Sequence, residues 1–77
     1  MKSIEQELTA IIGNTMAVPT ERINLDTKLV DDLGRDLGNV AEMTIDIQQI
    51  FKIHITEDAV AEAKTVEELV KLISDKI

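Results

Sequence analysis

The chain has 77 residues, 15 acidic and 8 basic, for a net charge of −7, with no cysteine and a single aromatic side chain, Phe51. A chain this short buries only about 60–65% of its unfolded surface, which argues against a deep catalytic cleft, and the missing cysteines remove disulfides, thiolate catalysis and thiolate metal sites. The acidity repels polyanions and one ring cannot stack a run of bases, so no nucleic-acid partner is expected.

A hydrophobic content of 44% with clear periodicity predicts one folded domain spanning 1–77 rather than a disordered acidic tail. The opening MKSIEQELTAII carries acidic residues inside its apolar pattern and has no long apolar core of a signal peptide. No run approaches the roughly 20 residues of a membrane span, and a cytoplasmic protein is expected.

Ser3 and Gln6 have the spacing of a capping box, and Ile4, Leu8, Ile11 and Ile12 follow at helical intervals. Gly13 and Asn14 weaken this first predicted helix near its end. Residues 18–29 mix turn formers (Pro19, Asn24, Asp26) with isolated apolar anchors (Val18, Ile23, Leu25, Leu29) and show neither strand alternation nor a helical stripe. They read as a long ordered loop pinned to the core.

A second helix is predicted over about 37–51, with Asp36 as N-cap and Val40, Met43, Ile47, Ile50 and Phe51 along one side. At 1.5 Å per residue it spans roughly 22 Å. IHIT (53–56) alternates like a strand, but four residues with no evident partner strand read as an extended connector. Thr56 caps a short helix near 57–63, and Thr65 with Glu68 forms a second capping box. The helix that follows carries Val66, Leu69, Val70 and Ile73, with Ile77 in register beyond them. The fold class is all-α: a four-helix bundle of three longer helices and one short one, with a long loop between the first two.

Residues 31–43, DDLGRDLGNVAEM, form an acidic turn running into the second helix, a shape that can present a nucleophile, but no Ser, Thr or Cys stands beside Asp36. Asp31, Asp32 and Asp36 cluster near the positive end of that helix, where carboxylates gain roughly 0.3–1 kcal/mol each. A calcium loop started at Asp31 puts Glu42 at its last position. However, Leu33, Arg35 and Asp36 then fall where oxygen ligands and a glycine are required, so no metal site is predicted. His54, the sole histidine, sits on the connector and reads as a solvated residue. With no paired acid and base and no nucleophile, no catalytic residues and no enzyme are expected.

DTKLVDDLG (26–34), Asp36, Val40, Glu42, Met43, Phe51, the connector Ile53, His54 and Ile55, and TVEELVKLI (65–73) together resemble the acyl carrier protein family. The resemblance is essentially full-length and needs no gap from Asp26 onward. It implies the same four-helix bundle. It also implies a role in fatty acid, polyketide or related acyl metabolism, in which a serine of an Asp-Ser-Leu at the start of the second helix carries phosphopantetheine and, on it, acyl thioesters. Here those three residues are Asp36, Leu37 and Gly38. Leu37 has no hydroxyl, so it is not competent for attachment, and no cofactor is expected on this chain. Thr44, the nearest hydroxyl on the helix, lies two turns away, about 10 Å, close to the apolar face, and is not a substitute.

The resemblance further implies that the second helix is a recognition surface for acyl-metabolism enzymes with basic patches. Glu42 and Asp46 are its acidic residues and Ile45 its exposed apolar contact, although an isolated surface isoleucine is also ordinary. Asn39, Gln48 and Gln49 are amides where the family commonly has carboxylates, which weakens long-range steering. Gly38 replaces a leucine and costs the helix start up to about 1 kcal/mol. Ala63 replaces a larger aliphatic beside the family's acyl cavity, a change that either widens the cavity or is absorbed by repacking.

The expected role is therefore partner binding or noncovalent acyl binding by a monomer, since no wide apolar stripe is left over. The alternative is a small acidic structural or regulatory interaction domain unrelated to acyl transfer. Binding to acyl-metabolism enzymes separates the two.

Overall fold

Every helix begins where a side chain can take up free amides. In the computed structural model, which describes residues 3–77, the helices are α1 (Ile4–Met16), α2 (Leu37–Phe51), α3 (Glu57–Glu62) and α4 (Val66–Ser74), with a single 3-10 turn at Thr20–Arg22. Ser3 Oγ accepts from the Gln6 N–H at 3.1 Å while Gln6 Oε1 accepts from the Ser3 N–H at 3.0 Å, closing the predicted box. Asp36 makes the same reciprocal pair with Asn39, and Thr56 Oγ1 accepts from the Ala59 N–H. At α4 only half of the predicted box forms. Thr65 Oγ1 accepts from the Glu68 N–H, but the Glu68 carboxylate takes the Thr65 hydroxyl and the Lys64 N–H.

The helices enclose an aliphatic core. Leu8, Ile12, Leu29, Met43, Ile47, Leu69 and Ile73 are fully buried, and the cluster is completed by Ile11, Ile23, Val40, Ile55, Val60, Ala63 and Val66. The apolar stripe of α2 is covered at Val40, Met43 and Ile47 and left open at its last turn, where Ile50, predicted to line the core, is 49% exposed. Ile77 is exposed as well, because α4 ends at Ser74, short of it.

The loop between α1 and α2 is pinned as predicted. Ile23, Thr27 and Leu29 are buried, and Thr27 Oγ1 accepts from the Asn24 N–H. The Leu25 and Thr27 carbonyls accept from the Glu67 and Val66 N–H groups, the first amides of α4, while the Leu29 N–H donates to the Lys64 carbonyl. This segment makes an isolated antiparallel bridge between Lys28 and Thr65 and is no strand, and the IHIT connector likewise forms none.

Gly13 does not end α1, which runs three residues further to Met16. It is buried at a close approach: a Cβ there would lie 2.9 Å from the Val18 carbonyl oxygen and 3.1 Å from Thr20 Cγ2. The residue that weakens the helix locally lets the loop turn back against it.

Candidate functional site at the start of helix α2

The turn leading into α2 is set by three backbone amides. The Gly34 N–H donates to the Val30 carbonyl at 2.8 Å, with Gly34 in the left-handed region at φ +72°, and the Arg35 N–H donates to the Leu29 carbonyl at 3.0 Å. The Lys28 N–H donates to Asp32 Oδ2 at 2.8 Å. Of the three clustered carboxylates, Asp32 therefore caps the loop turn, and Asp36 caps the helix through the Asn39 N–H at 2.9 Å. Replacing Asp36 by alanine removes the half of this box that its side chain supplies, leaving the backbone N–H of residue 36 to Asn39 Oδ1, and is expected to cost about 1 kcal/mol, seen as a lower urea midpoint with an unchanged slope.

Leu37, the first residue of α2, is 80% exposed and follows directly on the exposed Asp36. The corner displays an alkyl group and offers neither a nucleophile nor a proton. Thr44 is buried and its hydroxyl donates to the Val40 carbonyl at 2.8 Å, the back-bonding of a threonine within a helix, which keeps it from solvent. On the outward face Glu42 is exposed, Ile45 is 53% exposed and Asp46 is half-buried. Glu42 and Asp46 lie one turn apart on one row, and Leu37, Ala41 and Ile45 form an adjacent apolar row. Sequence reasoning named Ile45 but not that row, although the spacing of four was there to be read.

Arg35 was missed altogether. Its side chain is 6% exposed and reaches from the residue before the cap to the last turn of α3, where Nη1 donates to the Val60 carbonyl at 3.1 Å. Nη2 donates to the Ala61 and Ala63 carbonyls at 3.0 and 3.1 Å, while Nε is buried with no partner. Burial pushes the guanidinium's pKa below its ordinary value, yet an arginine stays protonated at neutral pH. The available signal was its isolation: it is the only basic residue between Lys28 and Lys52, and a cation beside a helix N-terminus is unfavourable unless its charge is satisfied elsewhere. Ala63 is buried in the core and its carbonyl is one of the three that Arg35 satisfies.

Three surface concavities of about 370 to 450 Å³ are lined by loop and α1 residues and by Lys64 and Thr65, and none by a residue of α2 or α3. Among the described residues, no three acidic or histidine side chains group as a metal site, and no helix is long and apolar enough to cross a membrane. His54 is exposed.

The four-helix domain thus presents the capped corner of its second helix to solvent, with acidic and apolar rows behind it. The family model for the phosphopantetheine attachment site matches residues 6–73. Similar curated proteins include the acyl carrier protein of Amoebophilus asiaticus, 30% identical over 77 residues (100% of this chain, 96% of that one), and that of Coprothermobacter proteolyticus, 28% identical over 76 residues (99% and 93%). That of Chlamydia trachomatis serovar D is 27% identical over 74 residues, 96% of each chain. The chain belongs to the acyl carrier protein family, and, like these carriers, it is not an enzyme.

Proposed function

We propose that this chain serves acyl metabolism without a covalent arm, as a cytoplasmic monomer that engages acyl-handling enzymes through the outward face of α2. The observation that carries this reading is Leu37: it stands 80% exposed beside the Asp36 cap, in the position that the family resemblance gives to the attachment serine. The residues present do not fit phosphopantetheine, because a phosphodiester needs a hydroxyl and the corner offers an alkyl group. Thr44, whose hydroxyl is buried and bonded, does not supply one.

What remains is recognition. Glu42 and Asp46 offer carboxylates to a basic patch and Ile45 an apolar contact beside them, a combination that sets orientation and rate of encounter more than raw affinity.

The test is the intact mass of the chain after incubation with coenzyme A and a broad-specificity phosphopantetheinyl transferase, beside a Leu37→Ser, Gly38→Leu double variant. The native chain is expected to keep its mass and the variant to gain the arm. Modification of the native chain overturns the reading of Leu37. If neither chain binds the transferase in a surface-immobilisation assay, the acyl-metabolism role gives way to a structural interaction domain.

A further inference from the structure

Helices α2 and α3 pack together across the short connector 52–56, and the residue preceding the α2 cap reaches the final turn of α3. The start of α2 and the end of α3 therefore share one end of the bundle, the end at which Leu37 is displayed. Helix α3 has six residues, too few to persist through its own propensity, and its last carbonyls have no partner within the helix. One of them, Val60, accepts from the Ala63 N–H, and Arg35 donates to Val60, to Ala61 and to Ala63 just beyond the helix.

We propose that Arg35 is the latch of this domain. It holds the end of α3 against the start of α2 and so keeps the aliphatic interior closed to an alkyl chain offered at the Leu37 corner. The guanidinium is buried and bonds three carbonyls, Val60, Ala61 and Ala63. The interior sides of the two helices that it joins are aliphatic, with Val40, Met43 and Ile47 of α2 and Val60 of α3 all buried. A chain entering from this end must part the guanidinium from its carbonyls and leave both sides dry and unpaired, the costly half of a buried hydrogen bond.

The latch works through its fork. The buried Nε has no partner, so the hold is confined to the two terminal nitrogens, and the single ammonium of lysine cannot reproduce their planar spread. The choice of ligand rests on the proposed role in acyl metabolism, whereas the hold on α3 does not.

Two readouts separate these. Amide hydrogen exchange is followed by NMR in native, Arg35→Lys and Arg35→Ala chains, and each is titrated with octanoate while the methyl signals of Val40, Met43, Ile47 and Val60 are watched. Amides of α3 and of Ala63 are expected to exchange about tenfold to a hundredfold faster in Arg35→Ala, as hydrogen bonds to a charged group are lost, with Arg35→Lys between. Amides of α1 should change far less. Octanoate should shift the core methyls saturably in Arg35→Ala and leave the native chain unmoved. Unchanged α3 exchange overturns the latch itself. Saturable octanoate binding by the native chain overturns the closed interior whatever the exchange shows. Should Arg35→Ala not fold, the native titration and the Arg35→Lys exchange decide both points on their own.

Discussion

Leu69→Ala is expected to cost the domain about 2–5 kcal/mol, the range for truncating a fully buried leucine whose surroundings cannot collapse. Leu69 is completely enclosed on α4, a helix of nine residues whose buried contacts rest on Val66, Leu69 and Ile73. One truncation thus removes the middle of its three anchors. A domain of this size holds only about 4–12 kcal/mol in total, so the variant should sit near the edge of folding at 37 °C. With no Trp or Tyr in the chain, the measurement is urea unfolding followed by helical circular dichroism. A loss under about 1 kcal/mol would mean that neighbouring aliphatic side chains fill the space, contrary to the close packing expected of such interiors.

Gly13→Val is the second large effect, and here local and tertiary rules point in opposite directions. Within a helix almost any residue improves on glycine, by up to about 1 kcal/mol. The added Cβ, however, lands 2.9 Å from the Val18 carbonyl oxygen and 3.1 Å from Thr20 Cγ2. The first is backbone and cannot rotate away, and the branched γ-carbons need further room. Overpacking of this kind costs about 1–3 kcal/mol, so the melting midpoint should fall, by several degrees per kcal/mol in a domain this small. A rise would show that the loop at 18–20 gives way freely.

These two sites mark where the sequence was and was not legible. The caps at Ser3, Asp36, Thr56 and Thr65 could be read directly, because an N-cap and the amides it serves lie within three residues of each other. The long loop was readable from the same kind of local signal, its turn formers and spaced anchors. Gly13 could be read as a weak point in a helix, but the oxygen that requires it belongs to a backbone that has already turned round.

Ile50 failed for a related reason: period gives the face of a helix, while cover depends on where the neighbouring elements stop. At the candidate site, Ile45 was visible as a residue off the core stripe, and Leu37 through the resemblance, as the residue at the attachment position. Arg35 was not, since its partners lie 25 to 28 positions away and backbone carbonyls leave no mark in the pattern of side chains.

The bridge between Lys28 and Thr65 has a consequence for how the molecule comes apart. It closes a ring of chain that contains α2 and α3 whole, and the amides that seal it belong to Leu29, Val66 and Glu67. Leu29 is also the residue whose carbonyl receives the Arg35 N–H. Peeling α4 from the body therefore frees the Leu25 and Thr27 carbonyls, a few residues before the one that anchors Arg35. A protease that trims the chain after residue 64 would remove the two amides that hold Leu25 and Thr27, and leave the Leu29 N–H on the Lys64 carbonyl as the last tie of the ring.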